Sequence, residues 1–129
     1  MTGYLLDTHT FLWFVWKDLK LSASAESIIN DGRNRIYLSV ASCWEIAIKA
    51  GRKKLQLGES SRGFLTRETS QNDVELLSID LSHVVEVEGL PHHHADPFDR
   101  LLIAQSQVTG LTLLSADTMF DQYGTKRIW

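Results

Sequence analysis

Four carboxylates in this chain stand where alternating strands and helices would gather them. Asp7 follows the short apolar run Gly3–Leu6 (GYLL), and Asp117 comes three residues after a second run, Leu111–Leu114 (LTLL). Asp99 lies in the first turn of a helix opened by Asp96-Pro97, and Glu45 lies inside a helix between Trp44 and Ile46. Open parallel sheets bind ligands outside the carboxyl ends of their strands, so Asp7 and Asp117 are expected to face one crevice. Each acid also has an ordinary structural explanation. Asp7 and Asp117 can cap the helices that follow them. Asp99 has a first-turn position that the helix dipole favours, and Glu45 can pair with Lys49 or Arg52 on an exposed face. Taken together, four converging carboxylates repel and raise one another's pKa, unless a hard divalent cation lies between them. An all-oxygen donor set selects Mg²⁺ or Mn²⁺. Such a cation polarises a phosphoryl oxygen and activates a bound water. The chemistry is then hydrolysis of a phosphodiester, which needs no Ser or Cys nucleophile and no Gly-rich phosphate loop. Neither G-x-x-x-x-G-K nor G-x-G-x-x-G occurs.

Charge is unevenly spread around these acids. Residues 49–67 carry six bases (Lys49, Arg52, Lys53, Lys54, Arg62, Arg67) and one acid, Glu59, whereas residues 68–99 carry eight acids and no Lys or Arg. Charge runs of this kind are usually solvated faces. A basic rim beside an acidic centre would also steer a polyanion, and Lys49, Arg52, Lys53 and Lys54 are the candidates for holding its backbone. Arg100 follows Asp99 in the chain and can point away from it on the helix. His92-His93-His94 reads as an exposed polar loop, since three adjacent imidazoles cannot all face one ion; His94 retains a secondary role near phosphate. Cys43, Trp13, Trp16 and Trp44 read first as core. The Phe11–Trp16 stretch has more aromatic area than one sheet face covers, which leaves a remainder for a partner.

The elements that must position these residues follow from caps and breakers. Thr8 or Thr10 starts a helix to Trp16, and Ser22 or Ser24 starts another to Asp31. Ser39 caps a helix from Val40 to Ala50 ended by Gly51, and Ser60–Ser70 forms a weakly patterned helix. Leu81–Glu88 is a short helix, and Asp96-Pro97 opens a long one to Val108 with Gly110 beyond it. A short helix to Tyr123 follows the last acid. Strands are expected at Gly3–Leu6, Ile36–Leu38, Val74–Ile79, Leu111–Leu114 and Ile128–Trp129. The alternation predicts an α/β fold with a mainly parallel sheet and helices on both faces.

Composition bounds the remaining choices. The 129 residues are 43% hydrophobic with a net charge of −3 (13 Lys+Arg against 16 Asp+Glu). That excludes a disordered chain and one that coats nucleic acid by charge alone. One cysteine excludes a disulfide scaffold and suits a reducing compartment. No run approaches the roughly 18 apolar residues of a membrane span, and Asp7 interrupts the apolar start where a secretory signal would lie. One cytoplasmic domain over 1–129 is expected.

At this point four segments acquire a common meaning. LLDTHTFLW at 5–13, SVASCWEIAIK at 39–49, HADPFDRLLIAQS at 94–106 and LLSADTMFDQYG at 113–124 together resemble the PIN-domain family. They are most similar to the VapC-type toxin ribonucleases of bacterial toxin–antitoxin pairs. The resemblance implies a three-layer α/β/α sandwich and a Mg²⁺- or Mn²⁺-dependent endoribonuclease. It also implies a small antitoxin partner and leaves room for a homodimer. Residue by residue, Asp7 matches the family's first acid, Glu45 the helical glutamate, Asp99 the acid of the D-x-x-I-A-like helix and Asp117 the acid after the last of the four motifs' strands. Thr8 and Ser115 match small polar positions that hold ligands or water. Asp121 is an extra acid one turn beyond Asp117. Rival readings are a non-catalytic PIN-like module and a receiver-like signalling domain. A receiver would need a second acid near Asp7 and a late Lys, and no Lys lies between Lys54 and Lys126. A phosphatase with Asp7 as nucleophile would need an acid at position 9, which is His9.

Overall fold

Side chains alternate along a strand, and two apolar pairs, Leu5-Leu6 and Leu113-Leu114, use both directions. The computed structural model describes residues 3–129. Its strands are β1 (Gly3–Leu6), β2 (Arg35–Ser39), β3 (Val74–Leu77), β4 (Thr112–Leu114) and β5 (Arg127–Ile128). All pair in parallel, in the order β3-β2-β1-β4-β5. Leu6, Ile36, Leu38, Val74 and Leu114 form one core with Phe11, Leu12, Ala25, Ile29, Ile46 and Phe64. Leu5 and Leu113 belong to a second core with Leu90, Leu102, Ile103, Ala104 and Phe120. The helices α1 (Thr8–Val15), α2 (Ala23–Asn30), α3 (Val40–Gly51) and α4 (Ser61–Gln71) cover the first face. The helix α6 (Pro97–Thr109) covers the second, beside α5 (Leu81–Glu86) and 3-10 turns at Val87–Gly89 and Thr118–Tyr123. The result is the expected α/β/α sandwich.

The connections set up the site. From β1 the chain moves outward to β2 and β3, then crosses back to β4 on the other side of β1. The sheet therefore reverses direction of growth between β1 and β4. That switch point opens a crevice at the strand ends. Leu6 pairs with both Leu38 and Leu114, so the residues after all three strands emerge at one edge.

Short polar side chains start the helices there. Ser22, Ser39 and Ser60 each accept a bond from the first turn of the helix they precede. Asp96 accepts from Phe98 N at 2.8 Å and Asp99 N at 3.2 Å, with Pro97 at the first helical position. Gly110 ends α6 with φ 78°, a left-handed conformation that glycine adopts without strain.

Several boundaries differ from expectation. α1 ends at Val15, because the chain turns through Trp16 into Lys17, whose φ is 54°. β3 stops at Leu77 and α5 at Glu86, where the helix tightens into a 3-10 turn. β4 begins at Thr112, and the last strand is Arg127–Ile128. The tryptophans correct the core assignment more sharply. Trp13 is half-buried against Trp129, but Trp16 is largely exposed and Trp44 is 59% exposed. Cys43 is half-buried at the edge of the first core, and burial pushes its thiol up to about 11.

Candidate active site

Asp7 leaves β1 and caps α1 at once. Its Oδ1 accepts from Thr10 N at 2.8 Å, and its Oδ2 accepts a short bond from Ser115 Oγ. Thr10 Oγ1 ties the same turn to Leu114 O at 3.0 Å. Capping and site membership are therefore one arrangement rather than alternatives. The residue is only 7% exposed, so its charge is held by directed donors instead of bulk water.

Ser115 joins Asp7 to Asp117. Its hydroxyl donates to Asp7 and accepts from Asp117 N at 3.0 Å. Asp117 caps the turn beyond it through Met119 N at 2.9 Å, and its side chain remains 41% exposed. Glu45 enters from α3 and is 5% exposed. Thr8 Oγ1 donates to its Oε1 at 2.7 Å, and Lys49 Nζ, one turn on, lies 2.7 Å from its Oε2. Thr8 is the residue after Asp7, so this bond links the two acids through adjacent backbone.

Asp99 approaches from the first turn of α6, where one carboxylate oxygen each of Asp99 and Asp117 and a ring nitrogen of His94 lie within 4.8 Å of one another. Its carboxyl is pushed up to about 7. Desolvation is the largest cause, followed by the charge of Asp96 and opposed by His94; the carboxylates of Asp7 and Glu45 raise it further. Asp99 thus feels two other members of the cluster through space. It reaches the fourth through His94, whose Nε2 lies 3.0 Å from Asp99 Oδ2 and 3.2 Å from Asp117 Oδ2.

The placement of the other candidates is mixed. Thr8 and Ser115 turn to the carboxylates, and Lys49 is committed to Glu45. Arg52, Lys53 and Lys54 are exposed at the end of α3, with no ion-pair partner among the described residues. Arg67 pairs with Glu59 and Glu68. Asp121 pairs with Arg127 at 2.9 Å, which holds its carboxyl low, and does not join the cluster. His9 is exposed on α1.

His94 overturns the reading of the triple-histidine loop as wholly exposed. His92 and His93 are exposed, but His94 is drawn inward among the acids. A further residue, Arg100, turns away from Asp99. Its buried guanidinium donates to Pro91 O at 2.8 Å and Leu90 O at 3.2 Å, fixing the loop that carries His94. Nothing in the sequence pairs Arg100 with a loop six to ten residues upstream. The aromatic pair Trp44–Phe98, with centroids 5.2 Å apart, consists of the sequence neighbours of Glu45 and Asp99. A cavity of about 520 Å³ lies at the other end of β2 around Asp31, Arg35 and Asp73.

The candidate donor set is oxygen-rich and acidic, with Lys49 and His94 as the adjacent nitrogen groups, and the chain matches a model of the PIN domain over residues 4–126. The chain belongs to the PIN domain family. Similar solved structures include VapBC2 from Rickettsia felis bound to a promoter DNA fragment, at 16% identity, with 98% of each chain covered and a TM-score of 0.73. DNA-bound VapBC from Salmonella typhimurium is 18% identical over 100% of this chain and 98% of the other, with a TM-score of 0.66. FitAcB from Neisseria gonorrhoeae is 17% identical over 98% and 96%, also at 0.66. These likenesses establish the fold of the PIN domain. Comparison with curated proteins by sequence gives no match. No helix among the described residues is long and apolar enough to cross a membrane.

Proposed function

We propose that this PIN domain is a Mg²⁺- or Mn²⁺-dependent endoribonuclease and the toxin of a toxin–antitoxin pair. The observation that carries the reading is Asp99. It is a carboxyl pushed up to about 7 because it is desolvated among Asp96, Asp7 and Glu45. Lys49 is committed to Glu45, and a hard cation would supply positive charge for the remaining carboxylates. The donors fit: Asp7, Glu45, Asp99 and Asp117 offer carboxylate oxygens, which suit Mg²⁺ or Mn²⁺. When bound, the cation offsets charge on the phosphoryl oxygen and lowers the pKa of a coordinated water.

The chain's own groups do the positioning. Thr10 and Ser115 fix the Asp7 carboxylate, Thr8 and Lys49 fix Glu45, and the cap at Asp96 aims the first turn of α6. Such supporting bonds orient ligands and tune affinity. Arg52, Lys53 and Lys54 attract the RNA backbone from outside, while Trp44 and Phe98 offer ring surface to bases beside the scissile phosphate.

The solved structures that share this fold include a toxin–antitoxin complex from Klebsiella pneumoniae, which supports a small protein antitoxin for this chain too. The exposed Trp16 and Leu19, the latter 99% exposed after α1, are apolar surface suited to that partner or to a second copy. The test is digestion of a mixed single-stranded RNA pool. Wild type cuts internally with Mg²⁺ or Mn²⁺ and not with EDTA, and Asp99→Asn does not cut. Cleavage that persists in EDTA, or in Asp99→Asn at the wild-type rate, would overturn the assignment.

A further inference from the structure

His94 is held too firmly to be an incidental neighbour of the acids. Its ring stacks on Phe120, with centroids 6.0 Å apart and planes 29° apart. Its main-chain N–H donates to Tyr123 Oη at 2.7 Å, and the loop behind it is tied down by Arg100. Its Nδ1 accepts from the main-chain N–H of Asp96 at 3.2 Å. A backbone amide can only donate, so Nδ1 carries the lone pair and the ring proton of the neutral imidazole sits on Nε2. That Nε2–H donates to Asp117 Oδ2 at 3.2 Å, and Asp99 Oδ2 lies 3.0 Å from the same nitrogen.

This tautomer decides between two roles. To ligate a cation, Nε2 would have to give up its proton to Nδ1, which would then point N–H against the N–H of Asp96. The arrangement makes His94 a donor and not a ligand. A cation held between the same two Oδ2 atoms would lie against that Nε2–H, with the ring proton facing its charge.

We propose that His94 is a built-in competitor of the cation. Its ring bridges the Asp96 main chain and the Asp117 carboxylate in the cation-free site, with Nε2–H set against Asp99, and must withdraw when Mg²⁺ or Mn²⁺ binds between the two acids. The inference rests on the cation site proposed above and adds what sets the concentration at which that site fills. The bridge gives the site a donor while no cation is there, and the same contacts hold it back from loading.

The sign of one substitution separates a competitor from a ligand. Dissociation constants for Mg²⁺ and Mn²⁺ are measured by calorimetry on the full chain at one fixed pH. His94→Ala is expected to bind both cations roughly tenfold more tightly, since hydrogen bonds to charged groups carry about that weight. His94→Gln, which keeps an N–H donor, is expected to return towards the wild-type value. Unchanged or weaker binding by His94→Ala overturns the proposal. A second measurement needs no cation: ¹⁵N NMR of the protein in EDTA is expected to show the neutral, Nε2-protonated ring of His94. A ring protonated on Nδ1 overturns the proposal as well. If wild type binds neither cation, the cation site itself fails, while the NMR result still decides whether the bridge exists.

Discussion

The side chains of the cluster divide into groups that carry charge and groups that hold it. Ser115 is the clearest of the second kind, because one hydroxyl serves two acids. Ser115→Ala leaves Asp7 Oδ2 and Asp117 N without that partner and is expected to weaken Mg²⁺ affinity roughly tenfold, as loss of supporting bonds commonly does; calorimetry checks it. Asp99 supplies a pH dependence. Its carboxyl titrates near 7 in the folded chain and near about 3.9 when unfolded. Between those values the folded state binds the extra proton, so stability in EDTA falls as pH rises from about 4 to 7 and then levels off. Asp99→Asn removes most of that decline, and melting temperature against pH reads it directly. The same sign applies to loading, since a proton on Asp99 excludes a cation, and Mg²⁺ affinity is expected to drop as pH falls through about 7. Asp7, Asp99 and Asp117 stand out in sequence because strand ends and helix starts announce themselves, and Glu45 because it is an acid among apolar neighbours inside α3. His94 is not, because its role depends on a loop bent inward by Arg100 and Tyr123, and no periodicity records a bent loop.

Among the elements, α6 matters most, because its first turn aims Asp99 and its body anchors the second core. Asp96-Pro97 at one end and Gly110 at the other mark it clearly in sequence. Asp96→Ala removes an acceptor for two amides and is expected to destabilise the fold by about 1 kcal/mol, which lowers the melting temperature by about 4 °C. Gly110→Ala forces a Cβ into φ 78° and destabilises by about 1–2 kcal/mol with no effect on cation affinity. That contrast separates α6 as a support from α6 as part of the site. The short elements are where sequence and structure part. Val74–Ile79 has the composition of a longer strand, but the chain leaves the sheet after Leu77 to reach Asp80, which caps α5. Hydrophobic pattern alone does not register where a strand loses its pairing partner. Trp16 and Trp44 misled for a related reason, since a large aromatic side chain is often only partly buried.

At the scale of the whole molecule, the net charge of −3 and the acidic centre oppose RNA. Binding must then come from a local patch. Exposed Arg52, Lys53 and Lys54 form one beside the helix that bears Glu45. Changing all three to Gln is expected to weaken binding of single-stranded RNA in EDTA. It should also flatten the dependence of log Kd on log salt by about 2, given about 0.7 per phosphate contact. A fall in affinity with an unchanged slope would place the RNA elsewhere. The parallel sheet is readable as α/β alternation, whereas its strand order and the convergence of β1, β2 and β4 at one edge are properties of the fold as a whole. That convergence underlies the central claim, that four distant acids surround one cation. Crystals soaked in Mn²⁺ and measured at the manganese edge test it most directly. The account predicts an anomalous peak within coordination distance of Asp7 and Asp99, with Glu45 and Asp117 around it. A peak away from Asp7 and Asp99, or none at saturating Mn²⁺, would contradict it.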